Sequence, residues 1–136
     1  MSVYGEFLRN KQRQLKPMGF EASGDLCESL HEWQADVVRW ALKRGRAALF
    51  EECGLGKTLQ QLEWARCVHE HTELPVVVHC PVGVRQQTKR EASKFAIRCP
   101  VEVVDRPAHI VDGINLVNYE KLHHFEEQRW GGVVLD

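Results

Sequence analysis

No two cysteines in this chain stand in a C-x-x-C relation, and the five present (Cys27, Cys53, Cys67, Cys80, Cys99) are an odd number. That pattern speaks against a disulfide framework and against a structural zinc site, whose ligands come in closely spaced pairs. Four of the five sit beside apolar or small residues, as reduced buried thiols do, which favours a reducing compartment. No apolar run approaches the ~20 residues that span a bilayer. The opening MSVYGEFLRNK also lacks the basic-then-apolar order of a secretory signal, so a cytoplasmic protein is expected. Charge of one sign is missing too. Eighteen Lys and Arg stand against 19 Asp and Glu, a net charge of −1. Any nucleic-acid surface must therefore be a local patch. Internal repeats and low-complexity segments are absent as well.

What is present is an ordinary single-domain composition: 136 residues, 43% hydrophobic and 27% charged. Residues 3–15 carry Val3, Phe7, Leu8 and Leu15 among charges, a weakly amphipathic short helix, and KPMGFEASGD reads as a loop. The stretch SLHEWQADVVRWALKRGR predicts a helix. Ser29 and Glu32 stand as a capping box, Trp33, Val37, Trp40 and Ala41 share one face, and Gly45 supplies a left-handed cap. AALF then reads as a strand before a glycine-rich turn. A helix follows from about Gly56–Thr58, with Leu59, Leu62, Ala65 and Val68 on its apolar side. PVVVHCP is a strand, VRQQTKREASKFAI a helix, and PVEVV and INLV are strands. YEKLHHF is a short helix and GGVVLD a final strand. Strands alternating with helices predict an α/β fold, a mostly parallel sheet with helices on both faces. The stop at Asp136, directly on an apolar strand, suggests part of something longer.

The most informative stretch is AALFEECGLGKT, residues 47–58. A phosphate-binding loop needs successive backbone amides aimed at one anion and a helix N-terminus behind them. Gly54 and Gly56 let the backbone approach, Lys57 bridges the β- and γ-phosphates, and the Thr58 hydroxyl holds Mg²⁺. Cys53 and Leu55 complete the backbone cradle. By chance, G-x-G-K-[ST] arises on the order of 10⁻⁵ per position at average residue usage. The flanking strand and helix are the context the motif requires.

Glu51 occupies the place of the first glycine in G-x-x-x-x-G-K-[ST]. In this the loop resembles D-E-M-G-L-G-K-T of superfamily 2 translocases of the Swi/Snf type, where an acidic residue takes that position. Other segments resemble the same family. LHEWQADVVRW is similar to its L-R-x-Y-Q-x-x-G-V-x-W, which implies that Gln34, 23 residues before Lys57, reads the adenine edge. An amide can donate and accept at once, as that edge requires. HCPVGVRQQTKREASKF resembles the next element through Pro81, Gln87 and Glu91. Its basic residues include Arg85, Lys89 and Arg90, which implies contacts with the nucleic-acid backbone, the alternative being a solvated helix face. INLVNYEKL is similar to I-x-I-T-x-Y-E-x-L, which implies that Asn118 and Tyr119 lie near DNA; Tyr119 is alternatively a core anchor. WGGVVLD looks like the Walker B strand, so that Asp136 holds Mg²⁺ opposite Thr58.

The resemblance spans residues 30–136 and implies a RecA-like P-loop lobe, incomplete at Asp136. On that reading residues 1–28 are a leader helix and loop, weakly similar to phage and prophage members. Residues 29–136 are then the first ATP-binding lobe of a DNA-dependent ATPase. ATP and Mg²⁺ are its expected cofactors, Lys57 and Asp136 its catalytic residues, and double- or single-stranded DNA its expected partner. The family's glutamate after Walker B and its second lobe with an arginine finger fall outside the sequence. Two other readings stay open: a non-catalytic nucleotide- or DNA-binding module, and a P-loop kinase whose lid would be residues 105–113. His69 with His71 and His123 with His124 are not spaced to share a helix face and are expected to be structural or exposed. The four tryptophans are expected in the core.

Overall fold

The computed structural model of the protein describes residues 2–11, 16–51 and 56–136. Its helices are α1 (Val3–Lys11), α2 (Glu32–Arg44), α3 (Lys57–Thr72) and α4 (Val82–Lys94), with 3-10 turns at Pro107–His109 and Tyr119–Phe125. Strands β1 (Val76–Cys80), β2 (Val101–Val103), β3 (Ile114–Asn118) and β4 (Gly132–Leu135) form one sheet in the order β2-β3-β1-β4. Every pairing is parallel, with Val76 opposite both Ile114 and Gly132. The central strands β1 and β3 are buried on both faces, as suits the β-branched run of β1 and the apolar Ile114, Leu116 and Val117 of β3.

Alternation along the strands sorts the core into two layers. Val76, Val78, Ile114 and Leu116 face Leu59, Leu62, Ala65 and Val68 of α3 and Ala92 of α4. Val77 and Val117 face the other way, against Val104 and Phe125. Right-handed crossovers in opposite directions must lie on opposite faces. The β1-to-β2 connection runs toward one edge through α4, and the β3-to-β4 connection runs toward the other through the 3-10 turn Tyr119–Phe125. The expected α/β architecture, a parallel sheet with helical segments on both faces in the manner of a RecA-like lobe, is what forms.

Local departures have physical causes. The capping box lies two residues later than Ser29 and Glu32: the His31 amide donates to Gln34 Oε1 at 2.8 Å, and the helix opens at Glu32. The buried side of α2 is Gln34, Val38, Ala41 and Leu42. The face read from Trp33, Val37 and Trp40 is rotated outward, leaving both tryptophans nearly half exposed, while Trp64 and Trp130 are partly buried. Slim side chains toward α3 let the helices approach closely, which indoles would prevent. AALF forms no strand, because among the described residues no strand lies against residues 47–50 to supply a ladder, and Phe50 is 98% exposed. Gly45 does adopt φ 81° and donates to the Ala41 carbonyl. Residues 18–20 strap the end of α2, where the amides of Met18, Gly19 and Phe20 donate to the carbonyls of Arg44, Lys43 and Leu42. These carbonyls are orphans of the helix terminus, and the strap satisfies them. The predicted helix 3–15 is seen over Val3–Lys11, its remainder lying outside the described residues.

Candidate nucleotide site

The loop enters α3 at Gly56, whose φ of 73° is left-handed and suits glycine. Lys57 and Thr58 form the first turn, half-buried, and that turn carries no acidic residue of its own, so the positive end of the helix dipole faces the loop end. The expected cradle residues Cys53, Gly54 and Leu55 lie outside the described residues. Gln34 is brought directly against the end of the loop: a Cβ on Gly56 would fall 2.5 Å from Gln34 Nε2. Its carbonyl oxygen is engaged by His31, and the side chain is 5% exposed.

Two consecutive residues of α3 reach the acidic groups around this turn. Gln60 Nε2 donates to Glu51 Oε2 at 3.1 Å, turning the carboxylate that replaces the first glycine toward the helix. Gln61 Nε2 donates to Asp136 Oδ1 at 3.1 Å. Gln61 follows Thr58 by three residues and Lys57 by four, so all three share one helix face. Asp136 extends β4 by its amide bond to the His79 carbonyl at 2.9 Å, and the Tyr119 hydroxyl donates to its backbone oxygen. The carboxyl ends of β1, β3 and β4 thus lie at the edge of the sheet occupied by the N-terminus of α3. That is where open parallel sheets bind ligands. A groove of about 490 Å³ beside them is lined by Ala48, Phe50, Lys57, Gln60, Gln61 and Leu135.

His79 at the end of β1 is buried, and burial lowers its pKa; its Nδ1 has no hydrogen-bond partner among the described residues. The residues expected to touch nucleic acid are more dispersed. Arg85 donates to Asp105 at 2.9 Å, Lys89 to Glu102 at 2.9 Å, and Arg90 is exposed. Asn118 is buried and caps the following 3-10 turn by accepting from the Lys121 amide. His69 bonds the Leu74 carbonyl, His71 stacks on Phe20, and His123 lies against His124. Burial pushes the thiols of Cys67 and Cys99 up to about 11, and Cys27, Cys67, Cys80 and Cys99 are free.

Sequence reasoning missed Gln60 and Gln61. The signal that could have found them was their helical spacing from Lys57 and Thr58.

A parallel α/β lobe with a glycine–lysine–threonine turn at the carboxyl edge of its sheet has the layout of a nucleotide-binding domain. The chain is 32% identical over 96 residues, 67% of its length, to the DNA excision repair protein CSB of Oryza sativa subsp. japonica. It is 37% identical over 71 residues, 52% of its length, to the SWI/SNF-related matrix-associated actin-dependent regulator of chromatin subfamily A-like protein 1 homolog of Caenorhabditis elegans. It spans 8% and 10% of those two proteins. No protein-family model matches the sequence. The two similarities support the resemblance to the Swi/Snf-like type of superfamily 2.

Proposed function

We propose that this chain is the ATP-binding lobe of a DNA-dependent ATPase, a superfamily 2 helicase or translocase that couples ATP hydrolysis to movement on DNA. The observation that carries the reading is one helix face. Lys57 and Thr58 open α3, and Gln61 of the same face holds Asp136 from the far side of the site. Lys57 takes phosphate charge, and the amides around Gly56 and the helix dipole receive the same anion. Thr58 and Asp136 offer a hydroxyl and a carboxylate, the hard oxygen donors that suit Mg²⁺. When bound, Mg²⁺ neutralises charge on the phosphates. Gln34, packed on Gly56, selects adenine through its side-chain amide. The names of the two relatives, a DNA repair protein and a chromatin regulator, support DNA as the partner, with Arg85, Lys89 and Arg90 of α4 on the backbone.

Calorimetric titration of Mg·ATP tests the site. Saturable binding by the chain that is lost in Lys57→Ala is the expected result; equal binding by both proteins overturns the assignment. On the same reading residues 1–136 alone turn over ATP slowly. The family's arginine finger by itself is worth about 10³-fold or more, and robust steady-state hydrolysis by these residues would contradict that.

A further inference from the structure

We propose that Gln61 is a positioning residue for Asp136, holding its carboxylate in register with Lys57 and Thr58 so that one oxygen stays available to a divalent cation. The inference rests on the nucleotide-site reading and deepens it. Its basis is the 3.1 Å bond from Gln61 Nε2 to Asp136 Oδ1, which joins residues 75 apart in sequence across the mouth of the site.

The chemistry of the donor matters. A lysine or arginine at this position would also hold the carboxylate, but would cancel the charge a cation needs. A side-chain amide is neutral and donates one bond to Oδ1. It fixes the direction of the group while leaving Oδ2 and the negative charge free. The need for such a tether is local. Asp136 is exposed, at the end of a strand paired on only one side among the described residues, and its own backbone is held by His79 and Tyr119. Gln61 stands on a helix whose inner face is packed into the core, so it carries that rigidity to the carboxylate. The neighbouring Gln60 makes the same kind of bond to Glu51, drawing the other carboxylate toward α3. The two adjacent amides thus settle where both negative charges sit relative to Lys57.

The test uses the full chain and the variants Gln61→Met, Asp136→Asn and the double variant, with ATP titrated at several Mg²⁺ concentrations and in chelator. Gln61→Met should raise the Mg²⁺ concentration for half-maximal ATP binding by about three- to tenfold, the effect of losing one solvent-exposed hydrogen bond of ordinary net strength. Affinity in chelator and the thermal unfolding midpoint should not change, which a merely structural residue would not reproduce. Because Gln61 acts through Asp136, the double variant should be no worse than Asp136→Asn alone. Wild-type Mg²⁺ dependence in Gln61→Met, or additive losses in the cycle, overturns the positioning role while leaving the nucleotide site standing. Failure of the unmodified chain to bind Mg·ATP removes both.

Discussion

Arg66 is 2% exposed in the middle of α3, an unusual place for a guanidinium. Burial lowers its pKa, but hydrogen bonds to Glu63 and Glu70 outweigh that and hold it above its ordinary value, so it stays charged. Glu63 is equally buried and binds the guanidinium, while Glu70 reaches it at 2.7 Å from a half-exposed position. Removing one partner of a buried pair leaves an uncompensated charge. Glu63→Ala should therefore cost about 3–5 kcal/mol in urea unfolding, and Glu70→Ala clearly less. A loss below about 1 kcal/mol for Glu63→Ala would mean that water reaches Arg66. At this scale the sequence was legible only where chemistry demands one residue type. Gly56, Lys57 and Thr58 announce themselves because few residues can replace them. Gln61 and the Glu63–Arg66 pair do not, since charged or amide side chains three or four residues apart usually mark a solvated face.

Among the elements, β1 was readable from its β-branched run, β3 from the apolar Ile114, Leu116 and Val117, and α3 from its apolar spacing. The phase of α2 was not, because two tryptophans outweighed the slimmer Val38 and Leu42 in the pattern. AALF was apolar enough for a strand, yet strands exist only as pairs. The strap over α2 was invisible because its bonds are between backbone groups. It makes Gly19 critical: a Cβ there would sit 1.7 Å from the Leu42 carbonyl oxygen and 2.7 Å from the Gly45 amide nitrogen. Gly19→Ala should lower stability by about 1–3 kcal/mol, as overpacking against backbone does. An unchanged unfolding midpoint would show the strap to be dispensable. A second join between elements is electrostatic. Asp105 accepts from Lys121 and from Arg85 of α4, and these bonds hold its pKa at about 2, below the ordinary aspartate value of 3.8. A carboxylate with a depressed folded pKa stabilises the fold above its unfolded value and ceases to as pH falls through the folded one. Stability should accordingly drop between pH 3.8 and about 2 through this group, and Asp105→Asn should flatten that part of the profile. An identical acid profile for the two proteins would assign the drop elsewhere.

Across the molecule the two layers of the sheet are unequally covered. The α3–α4 face is closed, whereas on the other face Val133 and Leu135 of β4 are 50% and 69% exposed. Among the described residues β4 pairs only with β1, so its outer edge presents free amides and carbonyls beside an apolar surface. Such edges template association with other chains. Sedimentation should show concentration-dependent self-association of this chain, reduced by Val133→Lys; a strictly monomeric wild type would argue that the groove beside β4 shields the edge. The same one-sided ladder divides the site into a stiff half and a soft half. Lys57 and Thr58 ride on a helix packed into the core, and Asp136 rides on an edge strand paired on one side among the described residues. A ligand bridging them would add its constraint almost entirely to the soft half. Deuterium uptake on nucleotide addition should therefore fall at residues 132–136 and stay nearly level within α3, making the last strand the molecule's own gauge of occupancy.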